Sequence, residues 1–101
     1  MAAKVIPLEM SEKRARDIHR AAVQDSAKII WTDHAKKRMR QRKITPMQVL
    51  NCLRSGMIDE PLHRDIEGGW KCTLIRLAAG EEIRVVCSIL DGGKLVIVTV
   101  M

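Results

Sequence analysis

The sequence predicts one small α+β domain in which a helical first half is followed by an antiparallel sheet. Residues 1–55 carry helix-capping residues followed by apolar residues at helical spacing, whereas apolar and polar residues tend to alternate after Gly56. Turn signals containing glycine divide the second half into strands, and Asp91-Gly92-Gly93 is a good hairpin signal. A chain of 101 residues has room for one modest core, so we expect a single domain over 1–101.

The first predicted helix begins after Ser11, whose hydroxyl can cap it, and runs to about Ser26. The apolar residues at 29–31 are either a brief strand or the end of this helix, and we favour the strand. We therefore expect 1–28 to form a helical extension and 29–101 to form the core of the domain.

Two further helices are predicted in the first half. Thr32 is a natural N-cap for the first of them, which stops near Lys43. Thr45 begins the second, because Gln48 gives the capping-box spacing and Pro46 stands where its missing N–H costs nothing. We expect the two helices to form a hairpin or corner that packs on the sheet.

Three or four strands are predicted to form an antiparallel meander. Their expected bounds are 57–64, 70–78, 82–90 and 94–100, and Pro61 marks the first as an edge strand or a bent one. In the last strand both sets of alternating residues are apolar, so both faces should be covered. The helical pair covers one face; the N-terminal helix, a second copy of the chain or a partner protein would cover the other.

Composition and spacing exclude several classes of protein. The aromatic residues are Trp31 and Trp70, so the core must be aliphatic and the stacking platform of single-stranded nucleic-acid binders is missing. Cys52, Cys72 and Cys87 lack metal-ligand spacing and are expected to be reduced, buried thiols. With no metal-type cluster and no phosphate-binding glycine loop in the sequence, we expect no cofactor.

The N-terminus has no long apolar run behind a basic start, so it does not resemble a secretory signal. No segment approaches the roughly 20 apolar residues of a membrane span. We therefore expect a soluble, cytoplasmic protein.

Positive charge is concentrated in the first half of the chain. Residues 1–55 hold 13 Lys and Arg against five Asp and Glu, whereas 56–101 hold five against seven. Six basic residues occupy eight positions of one short predicted helix, from 36 to 43, with no acidic residue among them. Such a run predicts a surface that binds a polyanion. The alternative is a solvated face whose arginines pair with carboxylates of the first meander strand and its turn, Asp59, Glu60 and Asp65.

His34, Arg38 and Arg42 follow one another at i, i+4 and i+8 and form one row on the basic helix. We take these three as candidate catalytic residues. His34 either acts as a general base or ribose ligand, or bonds a backbone carbonyl and holds the start of the helix. A second set of residues is predicted to contact nucleic acid: Lys36, Lys37, Arg40, Lys43, Arg54, Trp70 and Lys71. For Trp70, packing against the core is the alternative and the one we favour.

The region from His34 onwards resembles an uncharacterised bacterial domain family with the pattern H-A-x-x-R-M-x-x-R-x-I followed by a helix and a glycine. The residues that carry the resemblance are His34-Ala35, Arg38-Met39, Arg42, Ile44, Val49, Leu53 and Gly56. Gly69-Trp70-Lys71 and the apolar residues at 95–100 also resemble that family, so the likeness covers about 29–101.

That family is similar in layout to the RelE, ParE and BrnT toxin-like proteins. The resemblance implies a helical pair packed on a small antiparallel sheet. It also implies a link to RNA, because many of those toxin-like proteins cleave ribosome-bound messenger RNA.

Two functional hypotheses follow. The first is a small basic toxin-like domain that binds nucleic-acid backbone, RNA in preference to DNA, either with or without ribonuclease activity. The second is a non-catalytic interaction module. In it the basic helix meets an acidic protein, and the apolar final strand pairs with a second copy or an antitoxin-like protein.

Overall fold

The computed structural model describes residues 10–65, 68–78 and 80–101. Within these residues three α-helices cover one face of a five-stranded sheet. The elements in chain order are α1 (Glu12–Gln24), β1 (Ile29–Trp31), α2 (Asp33–Arg42), α3 (Pro46–Ser55), β2 (Met57–Arg64), β3 (Trp70–Ala78), β4 (Glu81–Ile89) and β5 (Leu95–Val100). The α+β class and the order of helices and strands are as predicted.

The strands lie in the order β1-β5-β4-β3-β2. From β2 to β5 they form the predicted antiparallel meander, with four strands rather than three, and β2 is an edge strand. The strand favoured at 29–31 is present, but it pairs in parallel with β5, Ile29 beside Leu95 and Trp31 beside Ile97. The sheet is therefore mixed and not purely antiparallel. A parallel neighbour requires a crossover, and α2 and α3 supply the connection that leads the chain from β1 to the far edge of the sheet.

The helix caps agree with the sequence. Ser11 Oγ accepts a hydrogen bond from the Arg14 amide at 3.1 Å and begins α1. Thr45 and Gln48 form a reciprocal capping box, with the Thr45 amide donating to Gln48 Oε1 at 2.8 Å. Lys43 ends α2 in the left-handed conformation, with φ at 56°. The left-handed conformation of Lys43 lets the chain turn sharply from α2 into α3.

One extra residue in β5 changes which side chains face the helices. Cys87 pairs with Ile97 and Val86 pairs with Thr99, so Val98 is left as a bulge. Leu95 and Ile97 are buried before it and Val100 is buried after it. The simple alternation expected from the sequence is therefore wrong beyond Ile97, because a bulge reverses the facing of every later residue.

The three helices share one face of the sheet. α2 packs on β5, α3 packs on β3 and β4, and α1 packs on α3. The core between them is aliphatic, as predicted, and the alanines of α1 and α2 let these helices approach closely. Its members include Ala15, Ala22, Ala35, Met39, Val49, Leu53, Leu74, Val85, Leu95 and Ile97.

The opposite face of the sheet has no helix over it among the described residues. Ile30 is 42% exposed there, and its neighbours Val96, Val98 and Val86 are half-buried. The N-terminal helix does not provide the second cover expected from the sequence, because α1 lies on the same face as α3.

None of the helices in the described part of the chain combines the length and the apolar character needed to cross a bilayer.

Candidate functional site

The basic helix α2 is held on the sheet by its apolar side and its first residue. Ala35 and Met39 are buried in the core. Thr32 Oγ1 accepts a hydrogen bond from the Ala35 amide at 3.0 Å and donates one to the Ile97 carbonyl at 2.8 Å. The cap of α2 is thus bonded directly to β5, next to the bulge at Val98. This fixes the direction in which the remaining side chains of α2 point.

The basic side chains of α2 face solvent. Arg38 is half-buried, and the other five basic residues of the run are exposed: Lys36, Lys37, Arg40, Arg42 and Lys43. Ion pairs between described residues join Lys13 to Asp17 and Arg84 to Asp59 and Glu82, and none involves this run.

The carboxylates that the alternative interpretation assigned to these arginines are engaged elsewhere. Asp59 Oδ2 lies 2.7 Å from Arg84, and Glu60 Oε1 accepts a hydrogen bond from Thr73 at 3.0 Å. Asp65 accepts bonds from Ser88 Oγ at 2.8 Å and from the Gly69 amide at 2.9 Å. The surface of α2 therefore carries positive charge with no acidic partner from the described chain.

His34 lies in the first turn of α2 and is exposed. Its ring makes no hydrogen bond within the part of the chain that the structure describes. The alternative in which His34 holds the start of the helix is not what the geometry shows, because Thr32 performs that role. His34, Arg38 and Arg42 occupy one side of α2, as their spacing predicts.

The other predicted contact residues are not all on the surface of α2. Arg54 is exposed in the last turn of α3, where its guanidinium donates to Asn51 Oδ1 at 3.5 Å. Lys71 pairs with His63 and Ser88 and points to the sheet face away from the helices. Lys71 cannot share one continuous surface with α2.

Trp70 lies on the helical face of β3 and is half-buried against the core. The guanidinium of Arg64 is 4.8 Å from the centre of its ring. That cation occupies one face of the indole, so a base can stack there only if Arg64 moves away. Arg14 of α1 lines the same cleft as Arg64 and Trp70.

A second site, not predicted from the sequence, lies under α1. His19, Cys72 and Cys87 are fully buried and come together between α1 and the sheet. His19 Nε2 is 3.6 Å from Cys87 Sγ and 3.9 Å from Cys72 Sγ, and the two sulfurs are 4.0 Å apart. The thiols are free and buried, as expected, but the absence of metal-type spacing in the sequence did not mean the absence of a cluster in space.

The environment of this cluster shifts the pKa values of its two thiols in opposite directions. A hydrogen bond from Cys87, with a further contribution from His19, lowers the pKa of Cys72 to about 5 against the opposing effect of burial. The same hydrogen bond and complete burial raise the pKa of Cys87 well above its usual value. Cys52 lies apart, donating to the Ile83 carbonyl at 3.9 Å, and burial raises its pKa to about 11.

One signal in the sequence does point to the pairing of the cysteines. Ala78 pairs with Glu81, and in this register Cys72 and Cys87 stand directly opposite each other in β3 and β4. The predicted turn included Glu81, which hid this register. Nothing in the sequence placed His19 against them, because the docking of α1 is a tertiary contact.

The structure is a small α+β domain in which one helix, α2 with its C-cap Lys43, carries six basic side chains, five of them exposed. The chain belongs to a family known as a domain of unknown function, DUF4258, whose model matches residues 31–101. The matched region begins in β1 and includes α2, α3 and the meander, whereas α1 with His19 lies outside it. Neither the curated proteins nor the solved structures that were compared with the chain gave a match.

Proposed function

We propose that this chain binds the backbone of a nucleic acid, RNA in preference to DNA, through the exposed face of α2. The observation that carries the proposal is the set of basic side chains on one short helix with no carboxylate partner among the described residues. Arginine forks match phosphate oxygens in pairs, and lysines add mobile point charges. A polyanion is the class of partner that such a surface recognises.

The spacing of the charges supports this proposal. Lys36 and Arg40 are four residues apart on the helix, and so are Arg38 and Arg42. Like charges at this spacing destabilise a helix by roughly 0.2–0.5 kcal/mol for each pair. The packing of Ala35 and Met39 into the core does not require basic residues at the other positions of α2. Phosphates bound along α2 would relieve this repulsion, so the free energy that the like charges cost the helix would be recovered on binding a polyanion.

RNA is favoured over DNA by the likeness to RelE-type toxins, and the same likeness makes ribonuclease activity the finer form of the proposal. The row His34, Arg38 and Arg42 places one exposed imidazole and two arginines on the same side of α2. A general base next to cations that stabilise a charged phosphate is the combination that RNA cleavage needs.

The salt dependence of binding tests the proposal. Affinity for a labelled duplex DNA should fall with a log–log slope of roughly −5 if six phosphates are neutralised, and for single-stranded RNA with a slope of roughly −4. Lys36→Ala, Arg40→Ala and Lys43→Ala combined should make the slope shallower by about half. Lys13→Ala, Lys28→Ala and Lys94→Ala combined remove the same charge elsewhere and should leave most of the slope. Absent binding, or a slope near zero, would reject the proposal.

A second candidate function is a protein interaction on the open face of the sheet. Ile30 pairs with Val96 there, and both side chains are accessible. β5 has neighbours on both edges over Leu95–Ile97, so a partner would contact its face rather than add a strand to it. Ile30→Asp should then dissociate a dimer seen by light scattering. Leu77→Asp, on the same face but distant from Ile30, should leave that dimer intact. A chain that is monomeric at high concentration would count against self-association.

A further inference from the structure

The buried cluster under α1 brings together, from the helical layer and the sheet, three side chains of the types that commonly bind metals. His19 comes from α1, Cys72 from β3 and Cys87 from β4, and all three are 0% exposed. Their candidate ligand atoms lie within 4.8 Å of one another. The cluster is separate from α2 and takes no part in the proposed nucleic-acid contact.

The spacing of the three atoms fits one central ion. With metal–sulfur bonds of about 2.3 Å, a metal–nitrogen bond of about 2.05 Å and angles near 120°, the sulfurs would be about 4.0 Å apart and each about 3.8 Å from the nitrogen. The observed separations are 4.0 Å between the sulfurs and 3.6 and 3.9 Å from sulfur to nitrogen. An ion at the centre of this triangle reaches all three atoms without movement of the backbone.

The hydrogen bonding of the cluster gives an independent reason to look for a ligand. His19 Nδ1 is buried and has no hydrogen-bond partner among the described residues. Nε2 faces only the two sulfurs, at distances typical of weak contacts. A buried imidazole with this little compensation is unusual, because buried polar groups are nearly always satisfied by protein, water or an ion. A bond from Nε2 to a metal would offset part of the cost of burying the ring, while Nδ1 would keep no partner among the described residues.

We propose that His19, Cys72 and Cys87 bind one thiophilic d¹⁰ metal ion, Zn²⁺ or Cu(I), which fastens α1 to the sheet. Thiolate ligands select these ions over harder cations. Zn²⁺ with two thiolates and a neutral imidazole makes a site of zero net charge, which suits complete burial. Cu(I) suits the three-ligand set, since the described residues offer no fourth side chain. Because α1 lies outside the family match, the ion would link the extension to the family domain.

Metal titration of the reduced 101-residue chain tests this proposal. After treatment with a chelator, the chain is titrated with Zn²⁺ or, without oxygen, with Cu(I), and bound ions are counted by native mass spectrometry. We expect one ion per chain with at least one of the two. Co²⁺ serves as an optical probe for Zn²⁺, because thiolate ligands give it a near-ultraviolet charge-transfer band.

Single substitutions identify the ligands. Cys72→Ser and Cys87→Ser should each abolish tight binding. His19→Gln should weaken it by more than the roughly 10–100-fold that follows loss of an outer-shell contact. Cys52→Ser is the matched control, a buried cysteine outside the cluster, and should bind like the natural chain.

A measurement on the natural chain keeps the proposal testable if a cysteine variant does not fold. The added metal should slow modification of Cys72 and Cys87 by a thiol reagent and leave the rate at Cys52 unchanged. The proposal would be overturned if the chain bound neither Zn²⁺ nor Cu(I) at one ion per chain. Equal affinity in the His19→Gln chain, or equal protection of all the cysteines, would also overturn it.

Discussion

The hydroxyl of Thr32 donates a hydrogen bond to the carbonyl of Ile97 at 2.8 Å while accepting one from the Ala35 amide at 3.0 Å. One side chain therefore caps α2 and satisfies a carbonyl beside the bulge of β5. The bulge at Val98 lies immediately after the residue that carries this carbonyl. The basic helix is thus fixed to the sheet at its first residue as well as by its buried face.

Replacing Thr32 should destabilise the domain. Thr32→Ala removes the cap and leaves the Ile97 carbonyl without this donor, so we expect the free energy of unfolding to fall by about 1–2 kcal/mol. Thr32→Ser keeps the hydroxyl and should recover most of the loss. Equilibrium urea denaturation measures both variants, and an unchanged stability of Thr32→Ala would show that the bond to Ile97 contributes nothing.

Local signals were sufficient to predict this cap but not its second bond. Thr32 and Thr45 stand at spacings that favour helix starts, so both helices were predicted within a residue or two. The parallel pairing of β1 with β5 was not predictable, because three apolar residues carry no sign of their partner. The bulge at Val98 was hidden for a related reason. Every residue from Leu95 to Val98 is aliphatic, so no polar residue marks where the alternation changes.

The candidate site divides in the same way. The row of His34, Arg38 and Arg42 on α2 follows from helical periodicity alone and needs no knowledge of the tertiary structure. The separation of Lys71 from α2 depends on which face of β3 it occupies, and the cluster of His19 with two cysteines depends on how α1 docks. Contacts between elements distant in sequence are set by packing of the whole core, which single-sequence patterns do not report.

Gly69 should not tolerate a side chain. A Cβ at this position would lie 2.2 Å from Ser88 Oγ and 3.2 Å from Asp65 Oδ2. Gly69→Ala must therefore turn the buried Ser88 away and break its 2.8 Å hydrogen bond to Asp65. We expect a loss of about 1–3 kcal/mol in unfolding free energy.

A double-mutant cycle separates this clash from backbone strain. Ser88→Ala removes the clashing oxygen, so adding Gly69→Ala to it should cost much less than Gly69→Ala alone. Gly68→Ala is the comparison for strain, because Gly68 has φ at 90° and open space around it. Additive losses at Gly69 and Ser88 would contradict the proposed clash.

Cys52 should make the free energy of unfolding decrease as the pH rises above 9. Burial raises its pKa from 9.0 to about 11, opposed in part by Arg76. Above pH 9 the unfolded chain loses this proton while the folded chain retains it, so the contribution of Cys52 is complete below pH 9 and is lost as the pH approaches 11. At about 1.4 kcal/mol per pKa unit, the loss is at most roughly 2–3 kcal/mol.

The comparison for Cys52 is Cys52→Ala, measured by urea denaturation from pH 8 to pH 11. The variant should be less stable at neutral pH because it leaves a small cavity. Its stability should nevertheless fall less steeply with pH than that of the natural chain. Parallel curves would show that Cys52 does not ionise differently in the two states.

On α2 the row His34, Arg38 and Arg42 is assigned to catalysis, and Lys36, Arg40 and Lys43 are assigned to phosphate contact, so the two groups should respond differently to substitution. If the chain cleaves RNA, His34→Ala and Arg38→Ala should each abolish cleavage. His34 is exposed and makes no hydrogen bond with described residues, so His34→Ala should leave the thermal unfolding curve unchanged and should alter RNA affinity little. His63 is an exposed histidine on β2, so His63→Ala is the matched control and should retain cleavage.

The three substitutions at Lys36, Arg40 and Lys43 should weaken RNA binding instead, because those residues are assigned to phosphate contact. Cleavage that survives both His34→Ala and Arg38→Ala would remove the catalytic assignment. Salt-dependent RNA binding without cleavage by the natural chain would leave α2 as a binding surface only.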